Sequence, residues 1–470
     1  MPNLFPAASH TQIPHHARHH PHPQHPHLMA VPAQAPPQTT GAVTVLAVAA
    51  PARLRECQHC GQLQILPPMP PAGRAVCLRC EAVLRHTHRD PIGVPLALNI
   101  AALVLFMIAT STALLTVSRA GQVHIADLFT GPLGLEQTGW WELSAVVVFT
   151  TFAAPLAKVL AMIAVLLGIQ IGRPPGELRG LFAWVQRLRP WSMIEVYLLA
   201  VFVAYVRLGS QARIELGPAL FALAALMLTM VAADAMLDAE AVWQVLDRRR
   251  TQFVRPLRQG WRPGTAHRLG CDTCHFVTRT VPGERCPRCG FRLRGRKPNS
   301  IARTWALGLA ALILYVPANV FPVLTLTELG YTEPSTILGG VRELLDYGMW
   351  PLAALVFFAS IVVPGLKVVG LTLLLLTTQA GSRWRLHDRT VLYRFIDHIG
   401  RWSMIDIFMG SILVALLQFG AIVNVVPGPG ALAFASVVIL TMLAAQTFDP
   451  RLMWDAAGAQ SRDFDADAGL

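Results

Sequence analysis

The sequence predicts a mainly α, polytopic helical membrane protein. It reads as two parallel repeats of four transmembrane helices, each preceded by a small four-cysteine module of short β structure. Three observations predict this: eight long apolar runs, eight cysteines arranged as four C-x-x-C pairs, and motifs of the first half that recur in order in the second.

The apolar runs come first. Of 470 residues, 53% are hydrophobic and 14% charged, where a soluble chain carries about 25% charged residues. The runs lie near 94–118, 143–170, 191–208 and 216–237, then near 302–326, 350–378, 403–426 and 429–446. A helix needs about 20 apolar residues to cross a bilayer, and these runs supply that.

The remaining stretches divide the chain. Residues 1–52 form a His/Pro-rich tail with eight histidines between His10 and His27, too poor in apolar residues to bury a core. The run Ala42–Ala50 resembles a signal-peptide core but lies too deep in the chain to be one. The predicted domains are a cysteine module at 53–90, a membrane domain at 91–247, a second module with a basic linker at 248–300, a second membrane domain at 301–455, and a disordered tail at 456–470.

The repeat is visible residue by residue. R-P-W-S-M-I-E-V begins at Arg189 and G-R-W-S-M-I-D-I at Gly400. An offset of 211 maps Trp191 onto Trp402, Gly209 onto Gly420, Asp238 onto Asp449 and Trp243 onto Trp454. An offset of 209 maps Pro155 and Lys158 onto Pro364 and Lys367. So many matches in one order argue for an internal repeat. Four spans per half is an even number, so both halves enter the membrane from one side and are parallel rather than inverted.

Arginine sets the expected orientation. The loop 171–190 holds four Arg and one Glu, residues 248–303 hold fifteen Lys/Arg against two acids, and the loop 379–401 holds five Arg and two Asp. By the positive-inside rule these segments, both cysteine modules and both termini are cytoplasmic. The formal net charge of +12 then reflects topology and contact with an anionic lipid surface rather than nucleic acid.

Cys57, Cys60, Cys77 and Cys80 form one set with two C-x-x-C knuckles; Cys271, Cys274, Cys286 and Cys289 form the other. Two such knuckles can close four thiolates into a tetrahedron, so two structural zinc ribbons are expected. A closed site leaves no open coordination position for catalysis. Each module is too small to fold on an apolar core, so the metal is expected to supply stability.

Ionisable groups inside the apolar runs are functional candidates, because each costs at least about 2.5 kcal/mol in hydrocarbon. Lys158 and Lys367 fall mid-span, three residues after a proline expected to kink the helix. Thr151 and Ser360 stand seven residues earlier, on the lysine face of an unbroken helix. Ser192 and Glu195, like Ser403 and Asp406, follow the tryptophan of each W-S-M-I motif. Each half is therefore expected to bury one lysine and one acid as a pair. The competing reading is a static ion pair that staples two helices. Asn99 and Asn319 need partners for their amides, and Pro317 and Pro322 suggest a broken helix around Asn319. Thr441 lies in the last span, with Thr229 near the matching place. Asp234 has no charged counterpart in the repeat and is expected to reach water. Two amphipathic stretches precede the W-S-M-I motifs: Leu181, Trp184, Val185 and Leu188, then Leu392, Phe395, Ile396 and Ile399. They read as interfacial helices. No nucleotide, metalloprotease or serine-hydrolase motif occurs, so no enzyme is predicted.

Taken together, the two C-x-x-C modules, the P-x-x-K helix and the W-S-M-I-[DE] motif resemble the paraquat-inducible protein A family over about 53–455. The resemblance implies a multi-pass protein of the inner membrane of a Gram-negative envelope that moves phospholipid. It implies a periplasmic partner of the mammalian-cell-entry (MCE) class, forming a tunnel toward the outer membrane. Any energy would come from the proton gradient. Ser360, Lys367, Ser403, Asp406 and Thr441 would form the polar track of the second half, with Thr151, Lys158, Ser192 and Glu195 as counterparts. The rival readings are a proton-coupled small-solute transporter and a membrane scaffold for the MCE partner that moves nothing.

Overall fold

Eight helices among the described residues are long and apolar enough to cross a membrane, which makes this a multi-pass membrane protein. The computed structural model describes residues 53–119, 122–172, 175–209, 213–248, 267–328, 331–417 and 423–458. The expected tails at 1–52 and 459–470 and the basic linker at 249–266 lie outside the described residues.

The chain opens with two hairpins, Arg53–Glu56 with Leu63–Leu66 and Arg74–Val76 with Val83–His86. Span 1 follows at Gly93–Ser111, 19 residues, about 28 Å of helix. Asp90 starts it: its carboxylate accepts the N–H groups of Ile92 and Gly93. Then come two strands, a short helix at Thr130–Gln137, span 2 at Trp141–Ile171, an amphipathic helix at Pro175–Leu188, and a single 3₁₀ turn at Arg189–Trp191. Span 3 is Ile194–Leu208, a strand follows, span 4 is Pro218–Met236, and a helix at Ala239–Arg248 closes the segment.

The same order of elements occurs after the second module. That module has one hairpin, His267–Gly270 with Val277–Thr280. Span 5 is Ser300–Val320, span 6 is Trp350–Gln379, and a second amphipathic helix covers Leu386–Ile399. A 3₁₀ segment at Gly400–Met404 leads into span 7 at Ile405–Leu416; span 8 is Pro429–Thr447, and Arg451–Ala456 forms a last short helix.

Three apolar runs were read as too long. Span 1 ends at Ser111, span 5 at Val320 and span 7 at Leu416, and the residues beyond leave the helix. They form two antiparallel sheets. Leu115–Arg119 pairs with Gln122–Ala126 and with Arg213–Leu216; Leu324–Glu328 pairs with Tyr331–Ser335 and with Val423–Pro427. Alternating Val and Thr, as in Leu115-Thr116-Val117 and Leu324-Thr325-Leu326-Thr327, suit a half-buried strand better than a helix. Both sheets sit at the span ends remote from the cysteine modules.

Spans 2 and 6 are each interrupted by a five-residue π-helical segment, Phe149–Ala153 and Phe358–Val362. The cause is local. Pro155 and Pro364 have no N–H to give the carbonyls of Thr151 and Ser360, and their rings crowd those carbonyls. Widening the turn before them lets the helix restart with proline in its first turn, where no N–H is required. The expected kink is thus a π segment. It unwinds the helix by a fraction of a turn, so Thr151 and Ser360 leave the strict lysine face. In span 5, by contrast, the helix runs through Pro317 to Val320 unbroken.

Spans 3 and 7 pack on each other across the two halves. Tyr197 meets Phe408 edge-on with ring centroids 5.7 Å apart, and an offset of 211 makes these two residues counterparts. The helix Thr130–Gln137 also packs on span 7, where Gly131 allows close approach: a Cβ there would lie 2.6 Å from Ser411 Oγ. Outward faces of the spans carry exposed apolar side chains, such as Val104, Met107, Ile313, Val316, Val369 and Leu376, as lipid contact requires.

The two cysteine modules are exchanged. The first packs its apolar face on the second half, against Leu371, Leu374, Tyr393, Phe448 and Trp454. The second packs on the first half, against Leu96, Leu166, Phe182, Trp243 and Leu246. The arginine inside the second knuckle marks the match: Arg79 stacks over Trp454 at 4.3 Å and Arg288 over Trp243 at 5.7 Å. Sequence order suggests that each module belongs to the four helices that follow it. The packing does not follow that order.

Candidate functional site

In each module the four cysteines are buried and unbridged, with all four Sγ atoms within 4.8 Å of one another. The closest pairs are Cys57–Cys80 and Cys60–Cys77 at 3.5 Å, Cys271–Cys289 at 3.5 Å and Cys274–Cys286 at 3.6 Å. Four thiolates about 2.3 Å from a metal would stand about 3.8 Å apart, so both sets fit a tetrahedral ion. The turns are set by backbone bonds: Gly61, Glu81, His275 and Gly290 donate to the carbonyls of Cys57, Cys77, Cys271 and Cys286. Each of these four donors has positive φ, which glycine takes at no cost. Gln64 adds a side-chain bond to Cys77 Sγ at 2.8 Å. Burial pushes His59 and His275 down to about 4, so both imidazoles are neutral at pH 7.

The modules meet at a buried charge cluster. Arg451, 1% exposed, bonds Asp449 through Nε and through a terminal nitrogen, each at 2.9 Å. The same guanidinium reaches Glu56 of the first module at 3.3 Å and Asp272 of the second at 3.1 Å. Glu56 also accepts the N–H of Gly270 at 2.8 Å, a direct bond between modules. Arg451 and its hydrogen bonds hold the Asp449 carboxyl below its ordinary value despite burial. At the position equivalent to Arg451 the first half has Glu240. It bonds Arg288 through both oxygens at 2.8 and 3.0 Å. The charge is reversed, and so is the charge of its module partner.

Inside the membrane the expected pairs are not formed. Lys158 pairs with Asp234 at 2.7 Å, not with Glu195. Asp234 also faces Arg189 at 3.5 Å, so it is a partnered acid rather than one turned only to water. Glu195 is 39% exposed and meets Arg401 at 3.9 Å. Lys367, 1% exposed, donates to the Gly400 carbonyl at 2.9 Å and to Thr441 Oγ1 at 3.5 Å. No carboxylate pairs with it among the described residues. Ala445 explains the difference: it occupies the place that Asp234 holds in the first half.

Asp406 is buried, and neither carboxylate oxygen has a hydrogen-bond partner; Ser403 Oγ and Ser411 Oγ are likewise unpaired. Ser360 lies beside Asp406 as a potential hydrogen-bond donor, but its hydroxyl donates to the Val356 carbonyl at 2.6 Å. Thr151 likewise bonds Val147 at 2.7 Å. Asn99 and Asn319 donate to Pro95 and Tyr315, one turn back in their own helices. These amides are satisfied and build no site. Ser192 is buried beside the 3₁₀ turn.

Two cavities bracket the track of the second half. A cavity of 470 Å³ lies between the halves at the end of the spans nearer the cysteine modules, and Lys367 and Thr441 line it. A crevice of 20 Å³ lies toward the sheets, lined by Asp406, Ser411, Leu324 and Pro427. That is room for about one water. Arg189, Arg401 and Asp397 also line the larger cavity and were not singled out in the sequence. The two arginines stand one or two residues before the tryptophan of each W-S-M-I motif, a position that could have marked them. Both amphipathic helices pack inward on Phe182, Val185, Tyr393 and Ile396, and leave Trp184 and Phe395 outward. The expected faces are thus corrected by about one residue.

The fold and the sites define a polytopic membrane protein with two four-thiol, metal-ready modules and a buried polar track in its second helical domain. The chain belongs to the Paraquat-inducible protein A family, whose pattern matches residues 93–247 and 301–458. It is 32% identical over 403 residues to the intermembrane transport protein PqiA of Escherichia coli strain K12, covering 85% of this chain and 95% of that one. It is 31% identical over 411 residues to the lipophilic envelope-spanning tunnel protein A of the same strain, covering 87% and 93%. A probable intermembrane transport protein of Haemophilus influenzae is 26% identical over 419 residues, covering 86% and 96%. No solved structure matches.

Proposed function

We propose that this protein moves phospholipid across a Gram-negative envelope from the inner membrane, working with a periplasmic MCE-class tunnel protein and driven by protons. The names of its relatives support the transport class. One observation carries the mechanism. Lys367 and Asp406 sit in one half without ion-pair partners, and they face cavities toward opposite ends of the spans. Thr441 stands beside Lys367 and Ser360 beside Asp406. Ser403, with its hydroxyl unbonded, is the short polar step between Gly400 and Asp406. Such a track can take a proton from one side and release it to the other, because neither group is locked by a counter-charge. Its counterpart, with Lys158 locked to Asp234, acts as a brace.

In this reading the halves are parallel repeats divided as 53–90, 91–247, 248–300 and 301–455. The arginine-rich ends and both modules face the cytoplasm, and the two sheets face the periplasm as the contact for the tunnel protein. Zinc is the metal, bound by Cys57, Cys60, Cys77 and Cys80 and by Cys271, Cys274, Cys286 and Cys289. The test is Lys367→Ala and Asp406→Asn in cells lacking the wild-type gene, with expression and membrane insertion matched. Envelope integrity should fall to the null level while the tunnel protein still copurifies. Full integrity with either variant sinks the proton role of the track and leaves a scaffold.

A further inference from the structure

The cavity of 470 Å³ between the halves has the size of a ligand pocket and an unusual lining for a membrane protein. Three cations face it: Arg189 and Arg401 at its rim and Lys367 at its floor. Three acids face it as well: Glu195, Asp234 and Asp397. The pairs across it are loose, with Arg189–Asp234 at 3.5 Å and Arg401–Glu195 at 3.9 Å. Asp397 makes no ion pair with a described residue, and Arg189 keeps half its surface open. Both signs are therefore presented with unspent hydrogen-bonding capacity.

A second cavity adjoins the first. It measures 210 Å³, is walled by apolar atoms from Phe149, Trp191, Met193 and Ile439, and shares Met442 with the charged chamber. Its one polar wall residue, Thr150, gives its hydroxyl to Val146. A charged chamber with an apolar cleft on the other side of Met442 fits one amphiphile, with its head in the first and a chain in the second.

We propose that this composite cavity is a binding site for a zwitterionic phospholipid with a primary ammonium, that is, an ethanolamine headgroup. The proposal rests on the lipid-transport reading and adds the substrate class and where it binds. A phosphate diester matches the guanidinium forks of Arg189 and Arg401, and an ammonium matches Glu195 and Asp397. An anionic head alone would leave those acids facing a like charge. A quaternary choline is held by aromatic cages, and no Phe, Tyr or Trp lines the charged chamber. Lys367 forms the chamber floor, so a seated head would lie next to the proton track.

The test uses the full chain in nanodiscs of equal parts phosphatidylethanolamine, phosphatidylglycerol and phosphatidylcholine. Retained lipid is read by native mass spectrometry. Wild type should retain the ethanolamine lipid in preference to both others. Glu195→Gln with Asp397→Asn should lower that preference about tenfold, the worth of one charge-assisted hydrogen bond, while lipid is still retained. Arg401→Gln should lower retention of every phosphodiester. Lipid brominated on its chains should quench fluorescence of wild type more than of Trp191→Phe. Soluble glycerophosphoethanolamine at millimolar concentration should displace no lipid. Unchanged elution and metal content would show that the variants fold; if Glu195→Gln with Asp397→Asn fails that check, Met442→Trp, which fills the apolar cleft, replaces it and must abolish quenching at Trp191. Retention blind to headgroup, preference for phosphatidylglycerol, or displacement by the soluble head overturns the proposal. These outcomes are independent of envelope integrity in Lys367→Ala cells, which tests the transport reading itself.

Discussion

Arg451 is the residue on which both cysteine modules converge, and replacing it with Met should loosen both at once. The guanidinium is 1% exposed and makes four contacts of 2.9 to 3.3 Å to three carboxylates. Methionine fills a similar volume but leaves those carboxylates without their shared cation. Some compensation remains: Glu56 keeps the Gly270 N–H and Arg296 at 3.5 Å, and Asp449 keeps the Lys297 N–H. Removing one partner of a buried ion pair costs about 3–5 kcal/mol. The lower figure corresponds to more than a hundredfold in an opening equilibrium. The assay is metal release to a chelator, with amide exchange in the strands Arg53–Glu56 and His267–Gly270 read alongside. Release should accelerate by about that factor from both modules. The Asp449 carboxyl is held low by Arg451. Its stabilising contribution is therefore present above the ordinary carboxylate range and lost as pH falls through the lowered value; Arg451→Met should flatten that part of the acid dependence. Unchanged release from either module would refute the view that one guanidinium ties the two together.

Further expectations can be checked alongside. Cys60→Ser should halve the metal content and expose Trp454, on which Arg79 of the same module stacks; elemental analysis and fluorescence report both. Gly131→Ala should destabilise the protein by about 1–3 kcal/mol in thermal unfolding, since the new Cβ would sit 2.6 Å from Ser411 Oγ and 3.1 Å from the Ser411 carbonyl oxygen. Lys158→Ala should cost stability but less envelope function than Lys367→Ala, because Lys158 is locked to Asp234; equal functional loss would contradict the brace role. Residues 249–458 expressed alone should lose metal from their module, and coexpression with residues 1–248 should restore it.

The eight spans were legible because lipid demands long apolar runs, and the thiol sets because a metal demands fixed spacing. The strands at 115–119, 324–328 and 423–427 were hidden inside those runs: Val, Thr and Leu satisfy a hydropathy window whether the backbone is helical or extended. The lysines were found, but not their partners. Lys158 and Asp234 lie 76 residues apart, and only packing decides that span 4 rather than span 3 offers the acid. The exchange of modules was hidden for a different reason. Both halves carry the same docking features, Trp243 and Trp454 among them, and both modules carry the matching arginine, so the motifs alone fit either pairing. The reversed charges at Glu240 and Arg451 do not decide it either, since Glu240 faces both Arg288 and Arg55, and Arg451 bonds both Glu56 and Asp272.

The exchange has a mechanical consequence. Each module is tethered by its chain to one helical domain and seated on the other, so the two domains wear crossed straps at that end. Pulling them apart there would require unseating a cysteine module or breaking the Arg451 cluster. At the sheet end the halves are joined instead by side chains, through the Arg207–Glu343 ion pair at 3.1 Å and the helix Thr130–Gln137 packed on span 7. Any swing of one half at the strapped end therefore drags the other's module with it.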